Sequence, residues 1–198
     1  MCDNNIGVDG AKAIAEALKV NPVLTFLNLR NNEIGGDGAK AIAEALKVNP
    51  VLTNLNLSFN SNIGDDGAKA IAEALKVNPV LTTLNLLDNS IGPEGAIAIA
   101  KALKVNAVLN TLSLSNNYNI GDDGAKAIAE ALKVNPVLTI LGLGGNGIGD
   151  DGAKAIAEAL KVNPVLTNLD LRRNSMGEAG KKAVRDAVKD RSGFVLEL

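Results

Sequence analysis

Leucines alternate with polar residues over short stretches that return along the whole chain. The first reads Leu24-Thr25-Phe26-Leu27-Asn28-Leu29 and closes at Asn32, the pattern LxxLxLxxN. It begins again at Leu52, Leu81, Leu109, Leu138 and Leu166, in steps of 28, 29, 28, 29 and 28 residues. Alternation with period two predicts a half-buried strand around Leu27 and Leu29 and their counterparts. The period then changes. Ile71, Ala74 and Leu75 stand at i, i+3 and i+4, while Lys69, Glu73 and Lys76 take the other side, the pattern of an amphipathic helix. Each unit therefore predicts strand, turn, helix, turn. A unit of this length repeated at fixed spacing builds a solenoid, with its strands in parallel on one side and its helices on the other.

The helix is nearly invariant. GAKAIAEALKVN occurs unchanged at 10–21, 38–49, 67–78, 124–135 and 152–163, with GAIAIAKALKVN at 95–106. In Asp65-Asp66-Gly67, an acidic residue is expected at the N-cap, where it meets the positive helix end. Asn78-Pro79 is expected to stop the helix, because a residue before proline avoids the α region. The invariant Asn32, Asn60, Asn89, Asn117, Asn146 and Asn174 each follow a strand, where an amide can satisfy buried turn backbone. The ends differ. Ile6-Gly7 aligns with Ile34-Gly35, so the chain is read as starting in mid-repeat at Met1. A polar helix containing Lys181, Lys182, Arg185 and Asp186, followed by Phe194–Leu198 as a closing strand, has the composition of a terminal cap.

With its LxxLxLxxN strands, long helices and 28/29 alternation, the chain resembles leucine-rich repeats of the ribonuclease-inhibitor subfamily. Similar repeats occur in cytosolic nucleotide-binding immune receptors and in effectors of intracellular bacteria. The resemblance covers essentially all 198 residues. It implies one α/β domain over 1–198, a horseshoe with a concave parallel sheet and convex α-helices. It also implies non-enzymatic binding of a folded protein in the cytosol, the host cytosol for a bacterial effector. The chain departs from ribonuclease inhibitor itself in having fewer repeats and almost no cysteine.

Composition narrows the chemistry. There is no histidine and one cysteine, Cys2, which excludes a Ser-His or Cys-His nucleophile and a usual structural zinc site. The lone cysteine fits a reducing compartment. Lys and Arg number 20 against 22 Asp and Glu, a net charge of −2, which is no footprint for nucleic acid. No apolar run reaches transmembrane length, so no membrane partner is expected. The Asp65-Asp66, Asp122-Asp123 and Asp150-Asp151 pairs lack calcium-loop spacing and read as helix capping. Gly142-Leu143-Gly144-Gly145-Asn146-Gly147 matches GxGxxG, but its Leu143 and Asn146 belong to the repeat, and helices on one face only make no dinucleotide fold. No metal and no cofactor are expected.

Where the units disagree, binding is the stronger reading. Three columns project from the strands: Phe26, Asn54, Thr83, Thr111, Ile140, Asn168; then Asn28, Asn56, Asn85, Ser113, Gly142, Asp170; then Arg30, Ser58, Leu87, Ser115, Gly144, Arg172. At the strand exits stand Asn31, Phe59, Asp88, Asn116, Gly145 and Arg173. Of the four aromatic residues, Phe26, Phe59 and Tyr118 lie on this face or its exit loops, and aromatics with arginine anchor protein interfaces. The residues expected to carry binding are Phe26, Arg30, Phe59, Leu87, Asp88, Tyr118, Ile140, Arg172 and Arg173. The sheet itself offers on the order of 500 Å², less than the roughly 800 Å² a stable interface needs from each side, so the exit loops must contribute. Ile140, Gly142 and Gly144 leave a low stretch for a protruding group. On the convex side, Ile97, Lys101 and Ala107 depart together from the repeat.

The expected activity is inhibition of one protein partner by covering its active site, with the chain otherwise a monomer. Two rival readings are a sensing segment of a larger immune-type receptor and a consensus-like scaffold without a natural partner.

Overall fold

The computed structural model describes residues 3–198; Met1 and Cys2 lie outside the described residues. Seven helices alternate with seven strands: α1 (Gly7–Val20), β1 (Phe26–Asn28), α2 (Gly35–Leu46), β2 (Asn54–Asn56), α3 (Gly64–Leu75), β3 (Thr83–Asn85), α4 (Pro93–Leu103), β4 (Thr111–Ser113), α5 (Gly121–Leu132), β5 (Ile140–Gly142), α6 (Asp150–Val162), β6 (Asn168–Asp170), α7 (Glu178–Val188) and β7 (Val195–Glu197). The strands form one parallel sheet in chain order. Register follows the leucines: Leu27 pairs with Leu55, Leu55 with Leu84, and so to Leu169 with Leu196. Pairing runs beyond the short strands, as in Leu29 N–H to Asn56 O and Asn31 N–H to Ser58 O.

The strand leucines meet the helix Ile and Leu in one continuous core, where Leu29, Ile42, Leu57, Ile71, Leu86 and their counterparts are fully buried. Alanines let the helices close on one another: Ala43, Ala45, Ala72 and Ala74 have no exposure. Two asparagine ladders hold the layers. Asn60 Oδ1 accepts the N–H groups of Asn32 and Ile34 (3.0 and 3.1 Å), and its Nδ2 donates to the carbonyls of Leu29 and Leu57 (3.1 and 2.8 Å). The expected role of this asparagine is therefore the observed one. The second ladder is the Asn of KVN. Asn78 Oδ1 accepts from Val80 and Leu81, and its Nδ2 donates to the Leu46 carbonyl at the end of the preceding helix. Among the described residues no buried side-chain nitrogen or oxygen lacks a partner.

Two expectations about helix ends are corrected. Asn78-Pro79 does not stop α3, which ends at Leu75 before Lys76, Val77 and Asn78 bond back in a turn. The fourth unit has Ala107 in place of proline, yet α4 ends at the corresponding Leu103 and Asn106 makes the same hydrogen bonds. The buried asparagine, not the proline, fixes the turn. Nor do the aspartates cap their own helices. Asp65 Oδ1 accepts from Gly92 and Gly95 at the start of the next helix (2.7 and 2.8 Å). Asp122 caps Gly149 and Gly152, and Asp150 caps Gly177 and Gly180, in the same manner. Helices receiving such a cap begin after an extended glycine: Gly92, Gly149 and Gly177 have φ −96°, −94° and −76°. Where Val8, Gly36 or Pro93 stands in the aspartate's place, the next helix starts from a left-handed glycine: Gly35, Gly64 or Gly121, with φ 58–64°.

Candidate functional site

The concave columns are less alike than their spacing suggests. In the second column, Asn28, Asn56, Asn85 and Asp170 turn back and accept the N–H two residues on (3.0, 2.9, 2.9 and 3.0 Å). These side chains close the strand exit, as Asx turns do. The column read as variable for a partner's sake is therefore mostly scaffold. Ser113 and Gly142 break the pattern side by side. In the third column Ser58 and Ser115 are buried, Leu87 is half-buried, and Arg30 and Arg172 reach solvent.

The loss of those side chains opens a groove. Two adjoining depressions of about 480 and 320 Å³ share Leu87, Ser115 and Asp170. The floor is Ser113, Ser115, Gly142 and Gly144; Leu87 walls one side and Asp170, Arg172 and Arg173 the other. Three strand spacings separate the walls, about 14 Å. Ile140, 43% exposed, and Val195, 47% exposed, give its lower end an apolar lining. A Cβ on Gly144 would stand 3.2 Å from the Arg172 carbonyl, so glycine keeps the groove deep there.

Arg172 is held rather than free. Its guanidinium forks onto Asp170 (3.0 and 2.9 Å) and reaches Glu197 (2.6 Å). Burial pushes the Asp170 carboxyl upward, but the hydrogen bonds and charge of Arg172 outweigh it and hold it below the usual carboxylate range. Asp170 and Glu197 in turn raise the Arg172 guanidinium. Arg173, on the exit rim beside it, is exposed.

The exit residues share one strained geometry. Asn31, Phe59, Asp88, Asn116, Gly145 and Arg173 all take positive φ, between 52° and 67°. In all but the last, Arg173, the turn sends the N–H to the next unit, as from Phe59 to the Leu87 carbonyl (2.8 Å). Asn, Asp and Gly adopt this conformation readily; Phe and Arg do so at a cost of about 1 kcal/mol each. Tyr118 is a third case, φ 53°, in the lengthened loop after β4, and is 64% exposed. The left-handed turn belongs to the repeat, and Glu33 (φ 55°) and Ser90 (φ 56°) share it after the strand asparagine; what varies between units is the side chain placed there.

The sites expected from the sequence thus fall into two groups. Leu87, Ile140, Arg172 and Arg173 border the groove, with Asp88 and Tyr118 on exit loops of β3 and β4. Phe26, 58% exposed, stands on β1, and Arg30 stacks over the Phe59 ring at 4.5 Å, two strands from the groove wall. Sequence reading missed Asp170, Val195 and Glu197. Aligning the closing strand with the units would have found the last two. Among the described residues no cluster of three or more His, Cys, Asp or Glu could hold a metal. No helix among them is long and apolar enough to cross a membrane. Within GxGxxG, Gly145 and Gly147 are turn glycines of the repeat, with φ 67° and 69°.

The family model for the Leucine Rich repeat matches residues 20–43, 48–72, 77–100, 105–129 and 134–157, more than half of the chain. The chain belongs to the leucine-rich repeat family. Its repeats are a protein-interaction scaffold. No curated protein matches the sequence. Among solved structures, Leiomodin-1 Actin-Binding Site 2 superposes with a TM-score of 0.61 at 25% identity, covering 78% of this chain and 87% of that one. The tropomodulin C-terminal domain of Caenorhabditis elegans superposes with a TM-score of 0.65 at 18% identity, covering 77% and 92%, a likeness of fold.

Proposed function

We propose that this leucine-rich repeat chain is a non-enzymatic module that grips one folded protein in its concave groove and exit rim. The observation that carries the reading is the coincidence of two features. A groove opens where Ser113 and Gly142 replace the turn-closing amides, and the exit loops beside it carry bulky left-handed residues, Arg173 at the groove and Tyr118 and Phe59 farther along. The partner inserts a protruding group between Leu87 and Arg172 while the rim residues extend the contact. Inhibition, by covering the partner's active site, follows from the resemblance to the ribonuclease-inhibitor subfamily. Affinity capture followed by an activity assay of the captured protein tests both steps. Phe59→Ala and Tyr118→Ala are expected to weaken a true hot spot by about 2 kcal/mol or more each. Unchanged affinity in both variants and in Ile140→Asp refutes the face; full partner activity in the complex refutes inhibition alone.

The likeness to Leiomodin-1 Actin-Binding Site 2 favours a second reading, in which the partner is actin. Saturable cosedimentation with filaments, or a change in polymerisation rate, abolished by Ile140→Asp, supports it. No binding at about 100 μM, a dissociation constant weaker than any specific complex of this size, ends it.

A further inference from the structure

The invariant repeat holds one apolar side chain that its own core leaves mostly in solvent. Val20, Val48, Val77, Val105, Val134 and Val162 follow the last lysine of each helix motif and are 81%, 60%, 60%, 64%, 60% and 61% exposed. All but Val105 are followed two residues on by an exposed proline. The fourth unit has drifted at Ile97, Lys101 and Ala107, yet Val105 stands unchanged. Valine is a poor helix former and gains nothing from exposure, so six in a row on one rim mark an interaction surface. The row runs along the helix C-terminal edge of the solenoid for about 45 Å at ordinary helix spacings.

We infer that this valine rim pairs with the same rim of a second copy of the chain. Size supports it. Six valines at on the order of 100 Å² each, with five prolines, make roughly 800 Å², what a stable interface needs from each partner. Shape supports it as well. A half-turn about a radius of the arc lays the rim on its own image in reverse order, with the same curvature and the same spacing. Such a two-fold contact is closed and self-complementary. The unit of Val77 then faces that of Val105 in the partner copy, Val48 faces Val134, and Val20 faces Val162. Charge permits it. The lysine before each valine, Lys104 apart, is paired with the glutamate three residues earlier, so the rim carries little net charge to repel its copy. The same pairing leaves no basic excess for an anionic membrane. The concave groove lies on another side of the solenoid and stays open in the pair.

Sedimentation of the full chain from about 1 to about 300 μM, the range of a micromolar dimer, tests the inference. The chain is expected to shift from monomer to dimer. Val77→Lys with Val105→Lys is expected to weaken association at least tenfold while the thermal melt of the monomer, read at the lowest concentration, stays unchanged, because both positions are exposed. Val48→Ser with Val134→Ser is a milder second variant. With Cys2→Ser in both chains, a Val77→Cys chain mixed with a Val105→Cys chain is expected to cross-link to each other under a short bismaleimide. A monomer at every concentration overturns the inference. So does a dimer that survives both valine pairs, or one that yields instead to Ile140→Asp on the concave face. Flotation with phosphatidylcholine vesicles, lost in Val77→Lys with Val105→Lys and without any dimer, assigns the rim to lipid and overturns self-pairing.

Discussion

Arg173→Asn should make the protein more stable, although it removes a long side chain and adds no contact. Arg173 sits at φ 56°, where the equivalent residues of other units are Asn31, Asp88, Asn116 and Gly145. The left-handed conformation costs an ordinary L-residue about 1 kcal/mol and asparagine much less. Arg173 is exposed, and its side chain acts on the fold only through its charge, the smallest of the influences that hold the Asp170 carboxyl down, so little offsets that gain. Asparagine also avoids the unfolded-state entropy that glycine would add. For a domain of this size, about 1 kcal/mol raises the melting temperature by roughly 2–4 °C. The reverse swap at the same register, Asn116→Arg, should lower it by a similar amount. Urea midpoints with unchanged slopes would show that folded-state strain, not a broken repeat, is being read. Arg173→Asn melting lower than the parent, or Asn116→Arg without effect, refutes the strain argument. The result bears on function. Phe59, Tyr118 and Arg173 together hold about 3 kcal/mol of strain, a large part of the 5–15 kcal/mol by which a domain is stable. On the proposed function, that strain is offset by what the three residues contact in the partner.

Further outcomes can be measured. Asn117→Ala should cost about 3 kcal/mol or more, because the N–H groups of Asn89 and Ile91 and the carbonyl of Leu86 lose their partner together, while the Leu114 carbonyl keeps only Asn146; chemical denaturation reads it. Asp122→Ala should cost about 1 kcal/mol by uncapping α6 at Gly149 and Gly152, while the start of α5, which bears Asp122, keeps its hydrogen-exchange protection. The Asp170 carboxyl is held below its usual range when folded, so its contribution is present above the ordinary aspartate value near 3.9 and is lost as pH falls through the lower folded value. Melts from neutral to acid pH should therefore fall less steeply in Asp170→Asn than in the parent at the acid end.

The frame of this protein was legible because it is periodic. Leu27 and Leu29 repeat at the strand period and Ile71, Ala74 and Leu75 at the helix period, and the step of 28 or 29 residues brings like onto like. The strand asparagine was legible too, since a polar residue invariant at a buried turn has few other uses. The KVN asparagine was overlooked because the neighbouring proline offers a local reason for the helix to end; Ala107 shows that reason to be unnecessary. The groove was half legible. Gly142 and Gly144 marked a low stretch, but the fork of Arg172 onto Asp170 and the approach of Glu197 from the closing strand depend on the register of the last two strands.

By itself the sequence determined what lies inside one unit: alternation sets which leucines turn inward, and i, i+3, i+4 spacing sets which helix face is buried. Only the stacked structure decided what passes between units. Asp65 reaches residues 27 and 30 positions away, Asn78 bonds a carbonyl 32 positions earlier, and left-handed exit residues become visible once strands bond in parallel. The reason is physical. Burial follows from the character of single side chains, and pattern records it. A hydrogen bond or a backbone angle depends on where a neighbour's atoms sit to within a fraction of an ångström, and that distance exists only after the layers have closed.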